Sequence, residues 1–255
     1  MILDGKATAI KRKEVLKEKV KNMEHVPSLC IVQVGDVPSS TLYIKKKREF
    51  GEEIGVKVEV INFDETASTQ EVVESIEKIE SEGILVQLPL PVSMDKEKVL
   101  SAIPPTKDVD GLSSDNYTPA TTKGISILLE EYGISVKGKK VTVVGYSDLV
   151  GKPTEKWLKE EGADVTVCDI DTEDLGEHTR PADIIVTAVG KPGLIGKGEV
   201  SEGQVVIDVG TTFVDGKLKG DVDFDEVKDI VEYITPVPGG VGPMTVVGVF
   251  EGLVG

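Results

Sequence analysis

The sequence predicts an α/β protein built from two α/β domains. Three observations lead there. Short β-branched runs alternate with amphipathic stretches along the whole chain, which is the order of parallel strands joined by helices. The strand-like runs are almost continuously apolar, as expected where helices cover both faces of a sheet. A long polar segment punctuated by Pro and Gly, "IPPTKDVDGLSSDNYTPATTKG", divides the chain near 104–122, and a β-α series stands on each side of it. At 255 residues the chain can form one large domain or two small ones.

In order, the predicted strands are "SLCIVQV" (28–34), "VKVEVINF" (56–63), "GILVQL" (83–88), "KVTVVG" (140–145), "DVTVC" (164–168), "DIIVTAV" (183–189) and "QVVIDVG" (204–210). Each is short, β-branched and bounded by turn formers. Amphipathic stretches at 5–23, 40–54, 69–82, 122–132, 151–162 and 223–230 read as helices, and Ser39 or Ser40 is placed to cap the second. A last helix is expected from about Met244, after the loop "TPVPGGVGP".

Composition narrows the function classes. Lys and Arg number 29 against 45 Asp and Glu, a formal charge of −16, so nucleic acid and anionic membrane would be repelled. The opening "MILDGKATAIKRKEV" lacks the apolar core of a signal peptide, and no apolar run reaches the ~18 residues of a spanning helix. A cytoplasmic protein is expected. Cys30 and Cys168 lie inside apolar runs and read as buried, reduced thiols. His25 and His178 are far apart, so no zinc set and no Ser-His or Cys-His dyad can be assembled; no metal is expected.

"KVTVVGYSDLVGKPTEKWLKEEGADVTVCDID" has the layout of a Rossmann-like dinucleotide-binding unit. A buried strand ends at Gly145, a helix starts near Gly151–Pro153, and backbone N–H groups there could hold a pyrophosphate. Against G-x-G-x-x-G, Ser147 and Val150 replace the second and third glycines, which leaves a plain tight turn as an equal reading. Asp169 favours the cofactor: it falls 24 residues after Gly145, near the ~20 expected of the acid that binds the ribose hydroxyls. No Arg or Lys lies between Ala163 and Thr179 to attract a 2′-phosphate.

In "SSTLYIKKKREFGEE", Tyr43 and Lys47 are four apart and share a helix face. Alone, the pair reads as a solvated lysine stem over an exposed tyrosine. Short-chain dehydrogenases use Tyr-x-x-x-Lys too, but there the nucleotide glycines precede the pair, and here they follow it.

The chain resembles the bifunctional methylenetetrahydrofolate dehydrogenase/methenyltetrahydrofolate cyclohydrolase family over essentially its whole length. "GDVPSSTLYIKKK" looks like the family's G-D-x-x-[AS]-S-x-x-Y-x-x-x-K, and "GILVQLPLP" and "KDVDG" carry its Q-L-P-L-P and K-D-V-D-G. "VVGYSDLVGKP", "VIDVGT" and "ITPVPGGVGPMT" follow in the family's order. Any one is weak; together they are highly specific.

The resemblance implies oxidation of 5,10-methylenetetrahydrofolate to the methenyl cation by a nicotinamide cofactor, then hydrolysis to 10-formyltetrahydrofolate. It implies a folate-binding catalytic domain at 1–118, completed by the C-terminal helix 243–255, and an NAD(P)-binding Rossmann-like domain at 119–242, with a cleft between them. Lys47 would serve water addition, its pKa lowered by desolvation and nearby positive charge, with Lys45, Lys46 and Arg48 as contributors. Gln87 would orient that amine through a neutral hydrogen bond. Tyr43 would face the folate ring with its hydroxyl close to Lys47, and Asp110 would hold the pterin. Pro236, Gly239 and Gly240 would form a folate wall. The cofactor set is Gly145, Tyr146, Ser147, Val150, Gly151, Asp169, Gly190, Gly210, Thr211 and Thr245. A homodimer is suggested as well.

Two departures stand out. Ala120 and Thr122 replace the Cys and second Pro of the family's P-C-T-P-x-G, which predicts a looser linker. Tyr146 and "DID" stand where many NADP-using members carry basic or hydrogen-bonding residues. The acid at 169 points to NAD, and family precedent to NADP. The alternatives are a monofunctional dehydrogenase without useful cyclohydrolase activity, and a non-catalytic nucleotide-binding module.

Overall fold

The computed structural model describes residues 1–113 and 117–255. The segment read as a crossing, 104–122, includes 114–116, which lie outside the described residues, as does the side chain of Ser39. The chain divides into two compact units, residues 11–120 with 246–255, and residues 1–10 with 121–245. From the sequence, residues 1–10 are expected in the first unit. Their backbone instead joins the second: Leu3 N–H donates to the Ile234 carbonyl at 2.8 Å, and Ile234 N–H to the Met1 carbonyl at 3.0 Å.

In the unit of residues 11–120 the order is α1 (Gly5–Lys21, begun in the other unit), β1 (Leu29–Val34), α2 (Pro38–Ile54), β2 (Val58–Phe63), α3 (Thr69–Ile76), β3 (Gly83–Val86) and α4 (Lys96–Ser101). The three strands form a parallel sheet ordered β2-β1-β3, with Leu29 level with Val58 and Gly83. Central β1 is buried throughout, and its period of two sorts side chains between two cores. Leu29 and Ile31 face Leu16, Ile54 and Phe250; Val32 and Val34 face Val72, Ile76 and Val99. Residues 107–109 run beside β3: Ile84 N–H donates to the Lys107 carbonyl at 2.7 Å.

The other unit follows as α5 (Ala120–Glu131), β4 (Lys140–Val144), α6 (Gly151–Glu160), β5 (Asp164–Cys168), α7 (Leu175–Thr179), β6 (Ile184–Thr187), β7 (Val205–Asp208), β8 (Thr212–Val214), β9 (Lys217–Lys219), α8 (Phe224–Val227), β10 (Tyr233–Ile234) and α9 (Val241–Val254). Five strands make a parallel sheet ordered β10-β7-β6-β4-β5, and β8 and β9 form an antiparallel hairpin. The order reverses between β4 and β6, the place where doubly wound sheets take a ligand outside the carboxyl ends of their strands. The register aligns those ends: Cys168, Thr187 and Asp208 lie level with Val144 across the sheet. Gly145, Asp169, Gly190 and Gly210 all lie just past that edge.

The α/β class and the parallel sheets agree with the sequence. Two local expectations do not hold. The second helix starts at Pro38 with Val37 as its uncapped N-cap residue, so Ser39 and Ser40 sit inside the first turn rather than before it. The Ser40 hydroxyl donates to the Leu88 carbonyl at 3.3 Å. The last helix starts at Val241, three residues before Met244, because Gly242 and Pro243 fit a first turn, where Pro costs no intrahelical bond. Cys30 and Cys168 are free and buried. Among the described residues no helix is long and apolar enough to cross a membrane.

Candidate active site

Lys47 lies on the buried face of α2 and is 5% exposed, although Lys45, Lys46 and Arg48 beside it point outward. Lys45 pairs with Glu49 at 3.7 Å and Arg48 with Glu52 at 3.7 Å, the i,i+4 pattern of a solvated face. Lys47 Nζ donates to Gln87 Oε1 at 2.9 Å. Gln87 is the first residue past β3, its backbone N–H bonded to the Val32 carbonyl at 2.9 Å. Its side-chain Nε2 donates to the Leu88 carbonyl at 2.8 Å, which turns the oxygen toward the lysine.

Burial pushes the Lys47 pKa below its ordinary value, and the negative charge of Asp110 opposes that shift. The expected help from neighbouring cations is absent, because those side chains stand in water. Burial raises Asp110 in turn, against the attraction of Lys47 and with further repulsion from Asp108. Asp110 keeps part of its surface open. A low-dielectric setting disfavours both charges, and each partly rescues the other.

The loop that presents Asp110 is built by its neighbours in "KDVDG", to which the sequence alone assigns no separate role, together with Ser113. The fully buried Asp108 accepts from Gly111 N–H at 3.0 Å, Ser113 N–H at 2.7 Å and the Ser113 hydroxyl at 2.7 Å. Lys107 Nζ donates to the Ile79 carbonyl at 2.9 Å. Tyr43 is half-buried, and burial raises its phenol pKa. The cation over its ring is Lys46, 5.4 Å from the centroid, rather than Lys47.

In the other unit, Gly145 turns the chain after β4 with φ +99°, where a Cβ would strike the Ala188 carbonyl. A Cβ on Gly151 would run into the Gly145 carbonyl. Gly151 therefore supplies the close helix-to-turn packing for which the glycine motif offered Val150. Residues 146–149 lie exposed between the two glycines, and α6 starts at Gly151 with Pro153 in its first turn. Ser147 Oγ accepts from Val150 N–H at 3.3 Å and holds that turn. Tyr146 donates to Glu155 at 2.6 Å, and Lys152, 5.6 Å from the Tyr146 ring centroid, pairs with Asp148 at 2.6 Å. Asp169 is exposed past β5 and accepts from Asp171 N–H and Thr172 Oγ1, each at 3.1 Å. The exposed turn, the helix start and the terminal acid fit a dinucleotide.

Gly190 and Gly210 follow β6 and β7, and Thr212 Oγ1 donates to the Gly190 carbonyl at 2.8 Å. Thr211 is exposed beside Gly210. Thr245 faces Thr121, hydroxyl to hydroxyl at 3.3 Å. Pro236, Gly239 and Gly240 belong to this same unit. The Gly239 carbonyl accepts from Lys6 N–H at 2.9 Å, a Cβ on Gly5 would run into the Gly240 carbonyl, and one on Gly240 would meet the Pro236 carbonyl and Thr235. The glycines of that loop thus admit protein backbone at least at one position.

Known proteins are similar to this chain over nearly its whole length. One family model, described as tetrahydrofolate dehydrogenase/cyclohydrolase, catalytic domain, matches residues 3–110. A second, tetrahydrofolate dehydrogenase/cyclohydrolase, NAD(P)-binding domain, matches residues 119–254. A bifunctional protein FolD of Francisella philomiragia is 46% identical over 264 residues, which span 96% of this chain and 94% of that one. The crystal structure of the bifunctional enzyme FolD, methylenetetrahydrofolate dehydrogenase/cyclohydrolase, from Campylobacter jejuni is similar at a TM-score of 0.95 and 41% identity, covering 100% of this chain and 97% of its own. The Trypanosoma brucei enzyme complexed with NADP cofactor and inhibitor is similar at 0.93 and 33% identity, covering 99% of this chain and 95% of its own.

Proposed function

Because this chain belongs to the tetrahydrofolate dehydrogenase/cyclohydrolase family, we propose a division of labour among its residues for the two reactions of that family. The enzyme oxidises 5,10-methylenetetrahydrofolate to 5,10-methenyltetrahydrofolate with a nicotinamide dinucleotide and hydrolyses the product to 10-formyltetrahydrofolate.

Lys47 is the group that handles the proton in the hydrolytic step. Water attacking the methenyl carbon must lose a proton, and a neutral amine can take it. The observation that carries this assignment is the buried Lys47 Nζ to Gln87 Oε1 bond of 2.9 Å. An amide oxygen orients the amine without adding the negative charge that would lock it as ammonium. The cationic substrate would depress the lysine further. Asp110 takes the paired donors of the pterin, and Tyr43 packs on the ring system. Pro236, Gly239 and Gly240 complete the folate wall.

The dinucleotide supplies the hydride acceptor when bound. Gly145, Tyr146, Ser147, Val150 and Gly151 take its pyrophosphate side, with Gly190, Gly210, Thr211 and Thr245 toward the nicotinamide. Asp169 takes the adenosine ribose, and its carboxylate favours NAD over NADP. Support comes from the pairing of nearby cations: Lys152 with Asp148, and Lys159 with Glu155 at 2.5 Å. A homodimer in the cytoplasm is part of the same proposal.

The test is Lys47→Met, assayed with both reactions in parallel. Hydrolysis of the methenyl substrate should fall by about 10²–10⁴ while reduction of the dinucleotide stays within about tenfold of wild type. Equal loss of both activities would remove Lys47 from the hydrolytic role.

A further inference from the structure

Asp208 and Asp221 are 3% and 0% exposed, and neither has a part in the chemistry above. A buried carboxylate is costly unless several donors satisfy it. Those donors are mostly backbone amides of the loops that leave the carboxyl edge of the sheet. Asp221 accepts from Thr187 Oγ1 at 2.9 Å, Val189 N–H at 2.7 Å and Lys191 N–H at 2.7 Å, bracketing Gly190. Asp208 accepts from Gly210 N–H, Asp221 N–H and Val222 N–H, each at 3.0 Å.

The two carboxylates are interleaved with glycine backbone. A Cβ on Gly210 would run into the Asp221 carboxylate, and a Cβ on Gly220 into that of Asp208. Thr212 Oγ1, bonded to the Gly190 carbonyl at 2.8 Å, ties the two loops to each other. Burial holds the Asp208 pKa up at about 7, with the charge of Asp221 adding to it against the three amide donors. A fold needing only a filled interior could have used apolar side chains here at less expense. What carboxylates add is a fixed direction for several N–H groups at once.

The geometry points to Asp221 and Asp208 as positioning residues for the dinucleotide, fixing from inside the protein the two loops that carry Gly190 and Gly210. This rests on the assignment of those glycines to the cofactor. Neither carboxylate touches ligand; each sets where loop backbone stands when ligand arrives.

In Asp221→Asn, one accepting oxygen becomes an NH₂ that faces N–H donors, so the loop around Gly190 should shift. The expected result is a KM for the dinucleotide raised about tenfold or more, with kcat at saturation within about threefold. Hydrolysis of the methenyl substrate, which consumes no dinucleotide, should keep its rate. Asp208→Asn should act in the same direction. If Asp221→Asn does not fold, Thr187→Val removes one donor and should raise the same KM by about threefold. A fall in thermal stability with an unchanged KM, or parallel loss of both activities, overturns the proposal. Amide exchange in the wild-type enzyme, with and without NAD, separates the two levels. Absence of slowing at 189–191 and 209–212 refutes the assignment of Gly190 and Gly210, and the positioning role with it. Slowed exchange together with normal KM values in the variants refutes the positioning role alone.

Discussion

Lys47 and Gln87 meet at 2.9 Å although they come from a helix and from the end of a strand forty residues later. The amide is fixed in turn by the Leu88 carbonyl, so its oxygen faces the amine. Gln87→Glu would put a full negative charge at that distance. The Lys47 pKa should then rise, and the acid limb of the hydrolysis pH profile should move up by about 1–3 pH units. Hydrolysis at pH 7 should drop at least tenfold or so, and recover as pH is raised. A profile that stays in place would show that the proton is not handled by this amine.

Asp108 supports the loop of Asp110 through three bonds to Gly111 and Ser113. Asp108→Ala leaves those donors without that acceptor in a buried setting. A stability loss of roughly 2–5 kcal/mol is expected by denaturant unfolding, together with a raised KM for folate in both reactions. An unchanged folate KM in the folded variant would separate the loop from substrate binding.

The carboxylate of Asp169 stands exposed at the end of β5. Asp169→Ser removes a charge that repels a 2′-phosphate and one acceptor for ribose hydroxyls. Steady-state kinetics should show kcat/KM for NADP rising about tenfold and that for NAD falling by a similar factor. A wild-type enzyme that already prefers NADP would reverse the assignment of Asp169.

Asp208 links stability to pH. Its folded pKa, about 7, lies above the ordinary 3.8 because the group is buried. Between those values the folded protein keeps a proton that the unfolded chain has released. The contribution of this group is therefore complete in acid and declines as pH rises toward 7, by roughly 4 kcal/mol across the interval. Urea unfolding from pH 4 to pH 8 should show that decline in wild type relative to Asp208→Asn. Parallel curves for the two proteins would contradict it.

The strands were legible because parallel strands covered on both faces are almost continuously apolar, as in "GILV" and "LCIV". Two-residue β10 and the short helices α4 and α7 carry too little pattern to read. The hairpin of β8 and β9 does carry a local signal: Asp215 and Gly216 take positive φ of 50° and 74° at its turn, the Asp-Gly signature of a type I′ hairpin. Lys47 and Gln87 could be named together only through the family resemblance, since helix spacing says nothing about a strand end forty residues away. Asp208 stands in view inside "VIDVGT", but nothing local shows that it and Asp221 are satisfied by groups from three separated segments. Gly151 was seen, but its contact with Gly145 falls one position past the glycine spacing of the usual motif.

Phe250 stacks on Phe50 at 5.1 Å, and with Val246, Val249 and Val254 it closes the core around Leu29 and Ile31. At synthesis rates of about 5–20 residues per second, these four side chains leave the ribosome roughly 10–40 s after the helix that bears Lys47. Through that interval the nascent chain holds a half-finished apolar interior that nothing of its own can yet cover. Translation speed and chaperone supply should therefore govern the yield of this enzyme more than they would for a protein whose first hundred residues are self-sufficient.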